Sequence, residues 1–218
     1  MSPSPPVPTL DDVRRALGIP AFDHEQAWRR MAPQPRPVQR PGTLPGEPRP
    51  AGVLLLLYPL SGELGFVLTR RTDVVATHKG QVSLPGGAQE LGDSSPEQTA
   101  LRETGEELAI CRDDVNLLGR LTPVYVFVSD FVIHPFVGYV PYRPEFQPNA
   151  VEVAEVIEVP LATLLDDGVK ARERWLVRGV ELDVPFYRVG GHAIWGATAT
   201  ILSEFEHRLR VALGPQHP

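Results

Sequence analysis

The run GGAQELGDSSPEQTALRETGEELAI, residues 86–110, decides how this chain of 218 residues is read. It opens on Gly86 and Gly87, paired glycines that permit positive φ and let the backbone come close to a ligand. A helix is predicted over residues 96–108: Ser95 suits the N-cap, Pro96 the first helical position, and Gln98 closes a capping box. At about 100° per residue, Glu103, Glu106 and Glu107 project from one face of that helix. Leu101, Thr104 and Leu108 fall on another face, which can meet a core and leave the carboxylates to a cleft. Like charges at i,i+4 cost roughly 0.2–0.5 kcal/mol per pair, and the negative end of the helix dipole adds to that cost. A bound cation relieves both. Oxygen ligands on a rigid support suit Mg²⁺ or Mn²⁺, which keep several waters and also bind substrate phosphates. Arg102, four residues before Glu106, is placed to hold that carboxylate.

Outward from this unit the pattern is strand-rich. Residues 53–58 and 65–69 are apolar runs separated by a Pro-Leu-Ser-Gly turn signal, which predicts a hairpin. Residues 72–89 read as loop. Residues 124–128, 132–139 and 153–159 are rich in Val, Ile and aromatics and read as strands, with a short helix opening at residues 161–165. Residues 186–189 and 193–195 suggest a last strand pair, and 197–211 space apolar residues as a helix does. Trp195 is expected in the core. The order is neither a regular βαβ alternation nor an all-β array, so an α+β fold on a mixed sheet flanked by helices is expected. Residues 1–50 differ: prolines crowd both ends, two short helices are expected at residues 11–17 and 23–31, and residues 32–50 should be irregular. They are read as an N-terminal arm, with the domain over residues 51–218.

Composition excludes several functions. A net charge of −6 gives no basic footprint for a nucleic-acid backbone. The longest strongly apolar stretch, residues 53–60, is far short of the roughly 20 residues that span a bilayer. The single cysteine, Cys111, cannot form an intramolecular disulfide, and MSPSPPVPTL lacks the pattern of an export signal. These features predict a cytoplasmic protein acting on a small molecule, with no nucleic-acid or membrane partner. Oligomeric state is not predicted.

Gly87, Asp93 and the segment Arg102-Glu103-Thr104-Gly105-Glu106-Glu107 are spaced in a way that resembles the Nudix hydrolase family, whose signature is G-x5-E-x7-R-E-U-x-E-E-x-G-U with U aliphatic. Three positions and one spacing depart from it: Asp93 stands for the first glutamate, eight residues separate it from Arg102, Thr104 replaces an aliphatic, and Ala109 replaces the last glycine. Thr72-Asp73 to His78, then Lys79-Gly80-Gln81-Val82-Ser83-Leu84-Pro85-Gly86-Gly87, is similar to the extra signature of the family's coenzyme A pyrophosphatase branch. Ile194-Trp195-Gly196-Ala197-Thr198-Ala199 resembles that branch's terminal segment.

The resemblance implies a Nudix fold, an α/β/α sandwich, and hydrolysis of coenzyme A to 3′-phosphoadenosine 5′-phosphate and 4′-phosphopantetheine. It implies cations held by Glu103, Glu106 and Glu107, and contacts to coenzyme A from His78, Lys79 and Gln81. Arg70 and Arg71 flank the signature and join His78 and Lys79 as candidates to meet a substrate phosphate. Nudix enzymes often recruit a further acidic residue from the region of Glu152 and Glu155, and Glu152 is the candidate here. The general base is left open among Glu103, Glu106 and Glu152. Two other readings compete: a Nudix hydrolase of another nucleoside diphosphate derivative, such as ADP-ribose or a dinucleoside polyphosphate, and a noncatalytic ligand-sensing module.

Overall fold

The apolar run that begins at residue 53 lies in a strand longer than its pattern suggests. A computed structural model describes residues 5–35, 46–72, 80–177 and 179–214. In it β1 (Arg49–Leu60) and β2 (Glu63–Arg71) form the expected antiparallel hairpin, with Leu60 opposite Glu63. The two-residue turn puts both Ser61 and Gly62 at positive φ, the geometry that matches the right-handed twist of paired strands. Every residue from Leu54 to Tyr58 is fully buried. Such a run without polar alternation is what a strand covered on both faces requires.

The sheet is mixed. β7 (Phe131–Tyr139) runs parallel to β1 and antiparallel to β5 (Asn116–Arg120), giving the order β3-β2-β1-β7-β5. β3 (Val82–Ser83) and β8 (Val153–Pro160) pair with β2, β4 (Gly86–Ala88) with β1, and β6 (Val124–Val126) with β7. α3 (Pro96–Leu108) covers one face, where Ala100 and Leu108 meet Leu54, Leu56, Tyr58 and Phe136. On the other face Leu55, Leu57, Phe66 and Leu68 share a core with Leu202, Phe205 and Leu209 of α4 (Gly196–Leu213). The layers are therefore helix, sheet and helices, the expected sandwich.

α1 (Leu10–Leu17) and α2 (His24–Met31) form where the sequence places short helices, with Thr9 and Asp23 capping them. Read from the sequence as an arm, they pack into the larger core through Val13, Ala16 and Met31. Ser203 Oγ donates to Ala27 O and Trp28 Nε1 to Glu204 Oε2, so both bonds tie α2 to α4.

Several elements differ from expectation. β3 and β4 occupy the stretch read as loop, because strands of two and three residues are too short to show alternation. A second sheet, β9 (Lys170–Val177), β10 (Val180–Val189) and β11 (His192–Ile194), extends well beyond the predicted terminal pair. β9 was hidden by its charged composition, since much of it is exposed. The helix at residues 161–165 is a 3₁₀ turn. Gln98 does not close the capping box: its Oε1 accepts from the amide of Ser94 rather than Ser95. Trp195 is half-buried and lines a cavity rather than the core.

Candidate active site

Three glycines bring the loop, strand and helix of the site into contact. A Cβ on Gly52 would lie 2.0 Å from Pro96 O and 2.8 Å from Ala100 N, so α3 rests directly on the backbone of β1. Gly52 pairs with Gly87 and Val53 with Gly86. A Cβ on Gly87 would stand 2.5 Å from the Glu103 carboxylate. Gly86, at φ 148°, has room for no side chain against Gly52 O and Val53.

Arg102 fixes the loop to the helix. Its Nε and Nη2 donate to the two oxygens of Asp93, at 3.0 and 2.9 Å. Nη1 donates to Glu106 at 3.0 Å, and Nη2 lies 3.0 Å from Glu103 Oε1. Asp93 also accepts from Thr99 Oγ1 and the Glu90 amide. The Arg102 fork is the largest influence holding its carboxyl well below the usual carboxylate range. Asp93, read from the sequence only as a departure from the family pattern, is thus the residue on which the arginine closes.

The end of α3 brings in the third carboxylate. Ala109, in the left-handed region at φ 58° and ψ 34°, donates its amide to Gly105 O. Gln147 N then donates to Leu108 O and Asn149 N to Glu107 O, satisfying carbonyls that a helix end leaves unpaired. The same loop continues to Glu152, whose amide bonds Asn149 O. Carboxylate oxygens of Glu103, Glu107 and Glu152 all lie within 4.8 Å of one another.

This trio is short of positive charge. Glu107 is 2% exposed, receives one long bond from the Gly86 amide at 3.4 Å, and has Arg71 Nη1 4.0 Å away. Burial pushes it up to about 8, Arg71 opposes this, and Glu103 and Glu152 add to it. Burial also raises Glu103, against the pull of Arg102. Three converging oxygen donors with a charge deficit fit a hard divalent cation.

The other predicted residues divide. Arg71, Gln81, Gly86 and Gly87 line one cavity of about 730 Å³ together with Glu103 and Glu152. Arg70 is committed elsewhere: its Nε donates to Glu155, which His192 also contacts. Glu106 is not part of the trio, because its side chain is 58% exposed and bonded to Arg102. His78 and Lys79 lie outside the described residues. Sequence reasoning missed the rest of the cavity wall, including Tyr125, Phe127, Phe131, Leu182 and Pro33. Those residues come from segments remote in sequence, and no local pattern connects them.

The fold is a helix–sheet–helix sandwich in which carboxylates of α3 and of the loop before β8 converge beside a glycine-rich loop. The NUDIX domain model matches residues 48–178, and the chain belongs to the Nudix hydrolase family. It is 36% identical over 175 residues to the Nudix hydrolase NudL of Yersinia enterocolitica, covering 79% of this chain and 87% of that one. The human mitochondrial coenzyme A diphosphatase NUDT8 is 34% identical over 178 residues, covering 80% of this chain and 75% of the other. A MutT protein from Methanosarcina mazei shares the fold, with a TM-score of 0.50 at 18% identity over 77% of this chain and 96% of that one. Nudix hydrolases generally use divalent metal ions and act on small molecules. Among the described residues, no helix is long and apolar enough to cross a membrane.

Proposed function

We propose that this protein hydrolyses the diphosphate linkage of coenzyme A, using Mg²⁺ or Mn²⁺, to 3′-phosphoadenosine 5′-phosphate and 4′-phosphopantetheine. The observation that carries the reading is the convergence of Glu103, Glu107 and Glu152, with Arg71 4.0 Å from Glu107, at a cavity that Arg71, Glu103 and Glu152 line. Glu103, Glu107 and Glu152 would hold the metal. When bound, it supplies charge neutralisation and a more acidic attacking water. Arg71 offers a guanidinium to the substrate phosphates, and Arg102 keeps Glu103 facing the loop. Gly86 and Gly87 let the loop close on β1 and on the Glu103 carboxylate, which sets that carboxylate against the loop. Water adds across the linkage: a new P–O bond forms at one phosphorus, and the bridging oxygen leaves with the other phosphate. Phosphoryl transfer of this kind depends mainly on positioning and charge neutralisation, which these residues provide.

Coenzyme A is preferred over other diphosphates because the residues around Gln81 match the branch signature and because NUDT8, a relative over most of the chain, carries that activity in its name. The test is mass-spectrometric product identification after incubation with Mg²⁺ and a panel of coenzyme A, ADP-ribose and a dinucleoside polyphosphate. Coenzyme A should give the highest kcat/KM, with both named products. Preferential cleavage of ADP-ribose or the polyphosphate would overturn the substrate, and no turnover of any would overturn the enzymatic reading.

A further inference from the structure

The cavity that holds the carboxylates is larger than a diphosphate needs, and its charge is confined to one end. Among the described residues lining it, Arg71, Glu103 and Glu152 are the charged ones. The remainder of the lining is mostly apolar and comes from elements outside the glycine loop and α3. Val177 of β9 and Leu182 of β10 contribute from the second sheet, Trp195 from the turn into α4, and Pro33 and Pro35 from the segment after α2.

This wall is built rather than accidental. Val177 pairs with Val180 and Trp175 with Leu182, which puts these four side chains on one face of the hairpin. Trp175 meets Trp195 edge-on at 5.5 Å and stacks on Phe186 at 5.3 Å, fixing Trp195 against the second sheet. Gln34 is held between the two prolines by reciprocal backbone bonds with Asp183, each 2.9 Å. Arg172 reinforces that junction, donating to Asp183 and to Arg30 O. Phe127 stands 42% exposed at the lining, an aromatic surface that the described residues leave partly uncovered.

A wall of this kind selects against charge. The longer phosphate chain of a dinucleoside polyphosphate would bring further anionic groups into uncharged surroundings, where a desolvated anion without a partner is strongly disfavoured. We infer that the wall formed by Pro33, Pro35, Val177, Leu182 and Trp195 determines specificity by receiving a neutral, extended apolar chain attached to the diphosphate. For coenzyme A, a reading on which the natural substrate here rests, that chain is the neutral pantetheine arm, whose methyl and methylene groups supply the apolar contacts between its amides, and whatever acyl group its thiol carries. The N-terminal segment is then part of the substrate site, through Pro33 and Pro35.

The test uses the full-length protein with Mg²⁺ and a series of β-alkyl esters of α,β-methylene-ADP (ethyl, butyl, hexyl), whose bridging carbon resists hydrolysis and which contain nothing specific to coenzyme A. Affinity is measured by calorimetry, so the result does not depend on turnover. Burying a methylene gives up to about a fourfold gain, so the hexyl ester should bind at least 10-fold tighter than the ethyl ester. Leu182→Asp should reduce that ratio to below threefold, and the milder Leu182→Ser should reduce it partway, with circular dichroism confirming the fold of each. Affinity independent of chain length, or a ratio unchanged in both folded variants, would overturn the inference. Chain-length dependence without cleavage of coenzyme A would leave it standing and remove the coenzyme A reading. Cleavage of coenzyme A with no chain-length dependence would do the reverse.

Discussion

Two helices of this protein bury glutamates, and they treat them oppositely. On α4, Glu204 and Glu206 are fully buried and fully partnered. Glu204 accepts from Arg208, Trp28 Nε1 and both the amide and hydroxyl of Thr122. Glu206 accepts from Lys170, Arg210 and the Tyr187 hydroxyl. On α3, Glu107 is almost as deeply buried but has one long bond and an arginine at 4.0 Å, and two further carboxylates close by. A buried charge that finds its partners within the chain ties elements together. A buried charge left in deficit beside a cavity is available to a ligand, and the difference separates structure from chemistry in one fold.

The contrast is broken most directly at the trio. Glu103→Gln and Glu107→Gln should each lower kcat by about 100- to 1,000-fold, since metal-borne charge stabilisation is worth several kcal/mol. Thermal stability of the metal-free variants should hold or rise, because like-charge repulsion is relieved. Near-normal kcat in both would mean the α3 carboxylates are structural after all. The complementary change is Glu204→Ala, which strands the buried Arg208 guanidinium and should cost about 3–5 kcal/mol in denaturant unfolding. The folded fraction should keep its kcat. A variant as stable as the parent would show that α4's partners contribute little.

Arg102 and Asp93 test the border between the two behaviours. Lysine cannot reproduce a fork closed on two oxygens, so Arg102→Lys should lose about 1–2 kcal/mol of stability and roughly 10-fold in kcat. Because Asp93 is held below its unfolded value of about 3.9, its contribution to stability is complete above that pH and is lost as pH falls through the folded value. Asp93→Asn should therefore destabilise the protein at pH 7 and flatten the acid side of a stability–pH curve. An unchanged curve would detach Asp93 from the fork's role. The smallest effect belongs to Ala109, a non-glycine residue in the left-handed region. Ala109→Gly should raise stability by up to about 1 kcal/mol, read as a small rise in Tm with unchanged kcat. A fall in Tm would mean the alanine methyl is packed to advantage.

The sequence carried this division unevenly. α3 was legible to its ends because its cap, its first-turn proline and its apolar face are local signals. The β1–β2 hairpin was legible for the same reason. Glu106 stands apart from the trio: spacing puts it beside Glu103 and Glu107, and in the structure its carboxylate is bonded to Arg102. Periodicity gives a direction from the axis but not which neighbour takes the side chain. Glu152 was reachable only through family resemblance, since its place depends on how a loop docks. The second sheet and the prolines after α2 were invisible as parts of a cavity, because only the closed fold brings Pro33 and Leu182 to the same surface as Glu103.

The bonds from Gln147 and Asn149 to the last carbonyls of α3 carry one more consequence. They reference the position of Glu152 to the end of the helix that bears Glu103 and Glu107, and only secondarily to the strand that follows. The segment over residues 141–146, which precedes this docking point, has anchors of its own, Arg143 on Glu158 and Phe146 against Tyr58, so the loop is held on both sides of the point where it meets the helix. An insertion or deletion between residues 147 and 152 should therefore displace Glu152 from the other two carboxylates while leaving α3 itself intact.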